Sequence, residues 1–326
     1  MIAAVTGACG HAGANLVRAL LERGCVVRAT VRSDTRALEG LDVERVPADV
    51  LDLSSLRKAF RRVEVVYHLA ARISLVARDL NRMYEVNVNG TKNVLRACRA
   101  AGVRRLVHFS SIHALDSRPK GGTITESRPL VEGRGTLPYD WTKAQAEREV
   151  LKAVSEGLDA VIVNPTAILG PYDFKVSSLG KLLVSLYHRR IKALVKGGFN
   201  WVDARDVVEG AIRAEKNGRR GQRYLLGGTW CTLKELALLV EEITGRRAPR
   251  FVSPTWLALA CVPFTALASK AFRTEPLYTP GSILTVRNHR YISYGKAEKE
   301  LGYRARPLRE TVRDAVGWLQ TAGFLE

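Results

Sequence analysis

The segment YDWTK sets Tyr139 and Lys143 four residues apart, which on a helix puts both side chains on one face. Ser111 lies 28 residues before Tyr139, at the end of the apolar run VRRLVHFSS. A phenol with an ordinary pKa of about 10 is a poor proton carrier at neutral pH, but a neighbouring ammonium favours its ionised form. These residue types therefore suggest proton transfer at a substrate oxygen, with Tyr139 as the proton carrier.

The other half of such chemistry is a hydride, and the N-terminus offers a place for its donor. VTGACGHAG (Val5 to Gly13) follows the apolar residues Ile2, Ala3 and Ala4 and leads into ANLVRALLERG, where Leu16, Leu20 and Leu21 recur at helical spacing and Gly24 supplies a stop. A strand, a glycine turn and a helix in that order let backbone approach a pyrophosphate, whose charge meets the free amides and positive dipole end of the new helix. Gly7, Gly10 and Gly13 are the expected contact glycines. Their spacing is Gly-x-x-Gly-x-x-Gly after Thr6 rather than Gly-x-Gly-x-x-Gly.

The elements that must position these residues follow an alternating pattern. Strands are expected at Cys25 to Arg32, Val43 to Val50, Val63 to Ala71, Val103 to Ser111 and Asp159 to Asn164, with helices over Asp79 to Ala101 and Tyr139 to Glu156. Such alternation predicts an α/β, Rossmann-type doubly wound parallel sheet, whose ligands bind at the strand C-termini. Gly7, Arg32, Asp49, Ala70, Ser111 and Asn164 then share one rim. Residues 1–165 are read as the dinucleotide-binding domain, with 201–228 returning to it. Residues 166–200 and 229–326 are read as a smaller, discontinuous C-terminal substrate-binding lobe that includes a helical SLGKLLVSLYHRR and a loop-like LGPYDF.

Taken together, the glycine turn, Ser111 and Tyr139-x-x-x-Lys143 resemble the extended short-chain dehydrogenase/reductase superfamily, the NAD-dependent epimerase/dehydratase family, over nearly the whole chain. The resemblance implies that Lys143 also holds the nicotinamide ribose hydroxyls, that the positive ring assists the phenolate, and that Ser111 hydrogen-bonds the substrate oxygen. It implies adenine contacts at Asp49 and Val50, ribose and pyrophosphate contacts along HLAA at Leu69, Ala70 and Ala71, and cofactor contacts at Asn164 and Pro165. Tyr172, in NPTAILGPYD, is expected to line the substrate pocket, and NVNGT (Asn87 to Thr91) is a helix motif of structural or functional use. Pairing through the two long helices into a homodimer would be usual for this family.

NAD enzymes usually end the second strand on an acid that binds the adenosine ribose, whereas this chain has Val31-Arg32. An arginine pairs with a 2′-phosphate through its planar fork, so NADP(H) is the expected cofactor, with NAD(H) as the alternative. Dehydratases of the family carry an Asp-Glu pair after the active-site Ser or Thr; here Ile112-His113 stand there, and His113 is a candidate substrate contact. VRATVR and SSIHA look more like the dihydroflavonol reductase and 3β-hydroxysteroid dehydrogenase branch. The expected activity is thus NADP(H)-dependent oxidoreduction of a carbonyl or alcohol on a small apolar substrate. The competing reading is a nucleotide-sugar epimerase with tightly bound NAD, since chains with NPTAILGPYDF often carry that label.

Composition narrows the classes further. The 326 residues are 46% hydrophobic and 25% charged, which fits a globular chain and excludes disordered or fibrous ones. The longest apolar stretch, Trp256 to Ala268, is interrupted by Pro263 and too short for a membrane span; it suits a buried helix or pocket wall. No basic segment precedes the N-terminal apolar residues, so no secretory signal and a cytoplasmic location are expected. Cys9, Cys25, Cys98, Cys231 and Cys261 form no Cys-x-x-Cys pair and the six histidines show no ligand spacing, so reduced thiols and no metal are expected. Net charge is +19, yet the basic residues are scattered singly or in pairs, a pattern that fits attraction of phosphate-bearing ligands better than a nucleic-acid partner.

Overall fold

A computed structural model describes residues 1–74, 77–118, 121–133, 136–260, 262, 280–286 and 291–326. Seven strands, numbered along the chain, form one parallel sheet: β1 (Ile2–Thr6), β2 (Val26–Val31), β3 (Glu44–Pro47), β4 (Val65–His68), β5 (Arg105–Phe109), β6 (Ala160–Pro165) and β10 (Arg223–Leu226). Their spatial order is β10-β6-β5-β4-β1-β2-β3, so the order reverses between β1 and β4. This is the Rossmann-type α/β sheet, and that reversal opens the crevice in which such sheets bind ligands.

Strand alternation explains why the sheet is covered on both faces. Ala3 and Val5 of β1, Val65 and Tyr67 of β4, Val107 and Phe109 of β5, and Val161 and Val163 of β6 all enter one core. Helices α1 (His11–Leu21) and α7 (Ala204–Asn217) close it through Leu16, Val17, Leu20, Val207 and Ala211. The intervening residues Ala4, Val66, Leu106, Ala160 and Ile162 face the opposite core. There they meet α2 (Leu53–Ala59), α4 (Gly90–Ala101) and α5 (Pro138–Ser155) through Leu56, Val94, Cys98, Val150 and Ala153. Each fully buried Val or Leu contributes about 1.5–3 kcal/mol, so strands apolar on both faces are the costliest to expose.

The expected long helix over 79–101 is interrupted. A short α3 (Leu80–Tyr84) passes into a π-helical turn, Glu85–Asn89, before α4 resumes. The turn serves Asn87, whose side chain accepts from the Arg72 amide at 2.7 Å and donates to the Arg72 carbonyl at 3.0 Å and to Thr142 Oγ1 at 3.1 Å. NVNGT thus fastens the segment after β4 to the helix that carries Tyr139 and Lys143.

A further three-stranded sheet joins β7 (Ala167–Leu169), β9 (Gly198–Asp203) and β11 (Thr229–Thr232), and β8 (Ala193–Val195) pairs with β12 (Phe251–Ser253). Helices α6 (Ser178–Tyr187), α8 (Leu233–Thr244) and the C-terminal Leu308–Thr321 cover a separate core of Leu183, Leu186, Trp201, Leu236, Val312 and Leu319. Within the 201–228 stretch, α7 and β10 join the main sheet, whereas Trp201–Asp203 belong to β9 of the small one. Of the apolar Trp256 to Ala268 stretch, residues 261 and 263–268 lie outside the described residues, as does Cys261, and Trp256 itself is exposed. No described helix is long and apolar enough to cross a membrane.

Candidate active site

The glycine turn is shaped by what its neighbours leave no room for. Gly7 has φ +73°, and a Cβ there would stand 2.7 Å from the Ala70 amide nitrogen, so the turn after β1 passes the end of β4 only without a side chain. Gly13 lies inside α1, where a Cβ would fall 2.1 Å from the Gly7 carbonyl oxygen; it permits close packing of helix on turn. Gly10 is the N-cap of α1 and makes no side-chain cap, and the first turn carries no acid. The amides and positive dipole end at this terminus are therefore available to an anion, and the turn fits a dinucleotide pyrophosphate.

A cleft opens over this turn. Of the residues singled out from the sequence, Gly7, Gly10 and Arg32 line it, together with Asp49 and Val50 from beyond β3 and Leu69, Ala70 and Ala71 from beyond β4. Arg32 is 67% exposed and lies 3.5 Å from Asp49 Oδ2, a loose pair that leaves its guanidinium accessible. Val50 is held by Asn93, which donates to its carbonyl at 3.0 Å, and packs against Gly90 of NVNGT, where a Cβ would come within 2.8 Å of Val50 Cγ2. Beneath the cleft, Thr6 Oγ1 and His68 Nδ1 are 2.7 Å apart, and His68 Nε2 and Thr91 Oγ1 3.0 Å apart. Burial, helped by the Lys143 charge, pushes His68 down to about 3, so this imidazole is neutral.

Ser111, Tyr139 and Lys143 come together at the same C-terminal edge of the sheet. Pro138 opens α5 in its first turn, where its fixed φ suits a helix start and its missing N–H costs nothing. The Ser111 hydroxyl stands near enough to Tyr139 to favour its phenolate, and Ser111 Oγ accepts from the His113 amide at 3.2 Å. Lys143 Nζ donates to the Phe109 carbonyl at 2.6 Å, at the end of β5. The expectation that Lys143 makes the phenol acidic is corrected here: burial pushes Tyr139 up to about 12, and the Asp140 carboxylate adds to the rise against the Ser111 hydroxyl. Lys143 is itself pushed down to about 8 by burial, opposed by Glu147. In this state the tyrosine is a neutral acid.

Asn164 sits under the site. Its amide donates to the Ser111 carbonyl and to Glu147 Oε2, each at 3.0 Å, so it fixes the backbone that carries Ser111. Pro165 ends β6, opposite Leu226. His113 Nδ1 lies 3.3 Å from Asp140 Oδ1, and its ring meets the Tyr139 ring edge-on at 5.9 Å, beside the proton carrier. Tyr172, the other expected substrate contact, packs under the Arg18 guanidinium, 4.3 Å from its ring centroid, and against Phe174 and Trp318. The cation and the aromatic cluster draw it onto α1.

Two residues escaped the sequence reading. Glu147 is fully buried and accepts from Ser110 Oγ at 2.5 Å, from Asn164 and from Arg223. Its signal was the 140, 143, 147 and 150 spacing, which places Asp140, Lys143 and Glu147 on the face of α5 that Val150 buries. Lys175, the other, lines the cleft from the far side of the chain, and no local pattern marks it.

Residues 3–227 match the NAD dependent epimerase/dehydratase family. The chain is 39% identical to sterol demethylase protein B of Methylococcus capsulatus over all of both chains. It is 33% identical to a putative dihydroflavonol 4-reductase of Synechocystis, covering 99% of this chain and 95% of that one. The crystal structure of gox2253 superposes with a TM-score of 0.87 at 33% identity, over 100% of this chain and 99% of that one.

Proposed function

The chain belongs to the NAD dependent epimerase/dehydratase family, the extended short-chain dehydrogenases/reductases, and is an enzyme of that family; from that premise we propose that it is an NADP(H)-dependent reductase of a carbonyl on a small apolar substrate. The observation that carries the reading is the meeting of Ser111 and Tyr139 at the sheet edge, with the phenol held protonated and Lys143 one helical turn away. Carbonyl reduction consumes a neutral acid, and burial supplies one. The names of the relatives, a sterol-processing protein and a dihydroflavonol reductase, support an apolar substrate. Arg32 in the cleft, without a free acid at the end of β2, supports NADP(H).

Gly7 and Gly10, Arg32, Asp49, Val50, Leu69, Ala70 and Ala71 would hold the dinucleotide, which supplies the hydride. Ser111 donates a hydrogen bond to the substrate oxygen and Tyr139 gives its proton to the same atom as charge builds on it. Lys143 keeps two donors beyond the one spent on Phe109, enough for ribose hydroxyls, and its charge stabilises the phenolate that remains.

Purified protein should oxidise NADPH in proportion to product when offered ketones, steroids or flavanones. Protein that retains bound NAD, interconverts sugar nucleotides and consumes no added NADPH would establish the epimerase in its place.

The pH profile follows from the same groups. Reduction needs Tyr139 and Lys143 both protonated, and both lose protons as pH rises. Lys143, at about 8, titrates first and Tyr139, at about 12, well above it. The kcat/KM for reduction, which reports the free enzyme, should be level below pH 8 and fall about tenfold per unit above it. A profile level to pH 10 would remove Lys143 from the reaction.

A further inference from the structure

Among the residues that line the cleft, Lys175 is the one that comes from beyond Val86. It is carried by the 171–177 segment, which is bolted to the first helix of the sheet rather than left as a loop. Asn15 Nδ2 donates to the Pro171 carbonyl at 2.9 Å, and His11 Nε2 lies 3.1 Å from the same oxygen. Arg18 covers the Tyr172 and Phe174 rings, and Asp173 accepts from the Ser177 amide at 2.8 Å. Tyr172 and Val176 both hold left-handed backbone, φ +65° and +43°, a cost that these contacts must offset. The segment is thereby aimed, and the exposed Lys175 lines the cleft together with Cys9 of the glycine turn and Asp34 beyond β2.

Arg32, Ser33 and Asp34 line the same cleft. The Asp34 carboxylate is already claimed by Arg36, which donates to both of its oxygens at 3.1 and 3.0 Å. It is therefore held in an ion pair rather than standing as a free acid for a ribose hydroxyl. Arg32, Lys175 and the Ser33 hydroxyl border a space beside the turn, with Asp49 only loosely paired to Arg32 at 3.5 Å, and two cations there suit a doubly charged group.

We infer that Lys175 is a specificity residue: with Arg32 and Ser33 it binds the 2′-phosphate on the adenosine ribose of NADP(H), reaching into the cleft from the lobe that follows β6. The assignment rests on the NADP(H) reading above.

Fluorescence titration of NADPH and NADH into wild-type protein and Lys175→Gln tests both, because the wild type is read first. A wild type that binds NADH more tightly than NADPH overturns the cofactor reading and this assignment with it. Given a wild type that prefers NADPH, K175Q should bind NADPH about tenfold more weakly at low salt, with NADH changed less than twofold. The deficit should shrink as salt rises, and Lys175→Arg should restore most of it. An unchanged NADPH affinity, or an equal loss for both dinucleotides, overturns the role of Lys175 and leaves the cofactor reading standing.

Discussion

Tyr139→Phe should lower carbonyl reduction by about three orders of magnitude while NADPH binds as before. The substitution removes one oxygen and keeps the ring, which lies edge-on to His113, so α5 keeps its start and Lys143 its place at the end of β5. What is lost is the phenolic proton beside the Ser111 hydroxyl. Single-turnover rates and NADPH titration, measured separately, distinguish loss of the acid from loss of binding. Retained turnover in Y139F would end the enzymatic assignment of this residue.

Glu147→Ala should cost about 3–5 kcal/mol of stability, the usual loss when one partner of a buried ion pair is removed. Glu147 is fully buried and its partner Arg223 nearly so, at 17% side-chain exposure. The variant leaves that guanidinium without its carboxylate and frees Ser110 and the Asn164 amide from one acceptor each. Glu147→Gln keeps the shape and some of the hydrogen bonds, so its loss should be smaller. Urea unfolding measures both, and a loss under about 1 kcal/mol for the alanine variant would show that the network relaxes around the gap. Because Asn164 also holds the Ser111 carbonyl, turnover in the glutamine variant should fall further than its stability predicts.

The main sheet was legible because its central strands are apolar on both faces and most strands are followed by a helix; the six strands expected through residue 164 are all present, with ends that differ by no more than three residues. The glycine turn and the Tyr139–Lys143 pair were legible for a similar reason, since their geometry is set within one turn or one helix. Strands β7, β8 and β12 were not, being three residues each and too short to show a period. The π-helical turn was hidden because Asn87 earns its bend from Arg72 and Thr142, partners 15 and 55 residues away. The direction in which Tyr139 shifts was misjudged from sequence because proximity to a lysine can be counted along a helix, whereas desolvation is a property of the assembled fold. The packing of Tyr172 was hidden for the same reason: Arg18, 154 positions earlier, covers its ring.

Strand β10 has a consequence for anyone who would cut this enzyme into parts. It pairs with β6 through Tyr224, Leu225 and Leu226 only after the chain has left the sheet, built β7 to β9 and come back. A fragment ending at Pro165 would bare the whole flank of β6, whose six residues AVIVNP are all buried in the intact molecule. An uncovered, apolar flank of this kind recruits other chains, so such a fragment would precipitate rather than stand alone as a nucleotide binder.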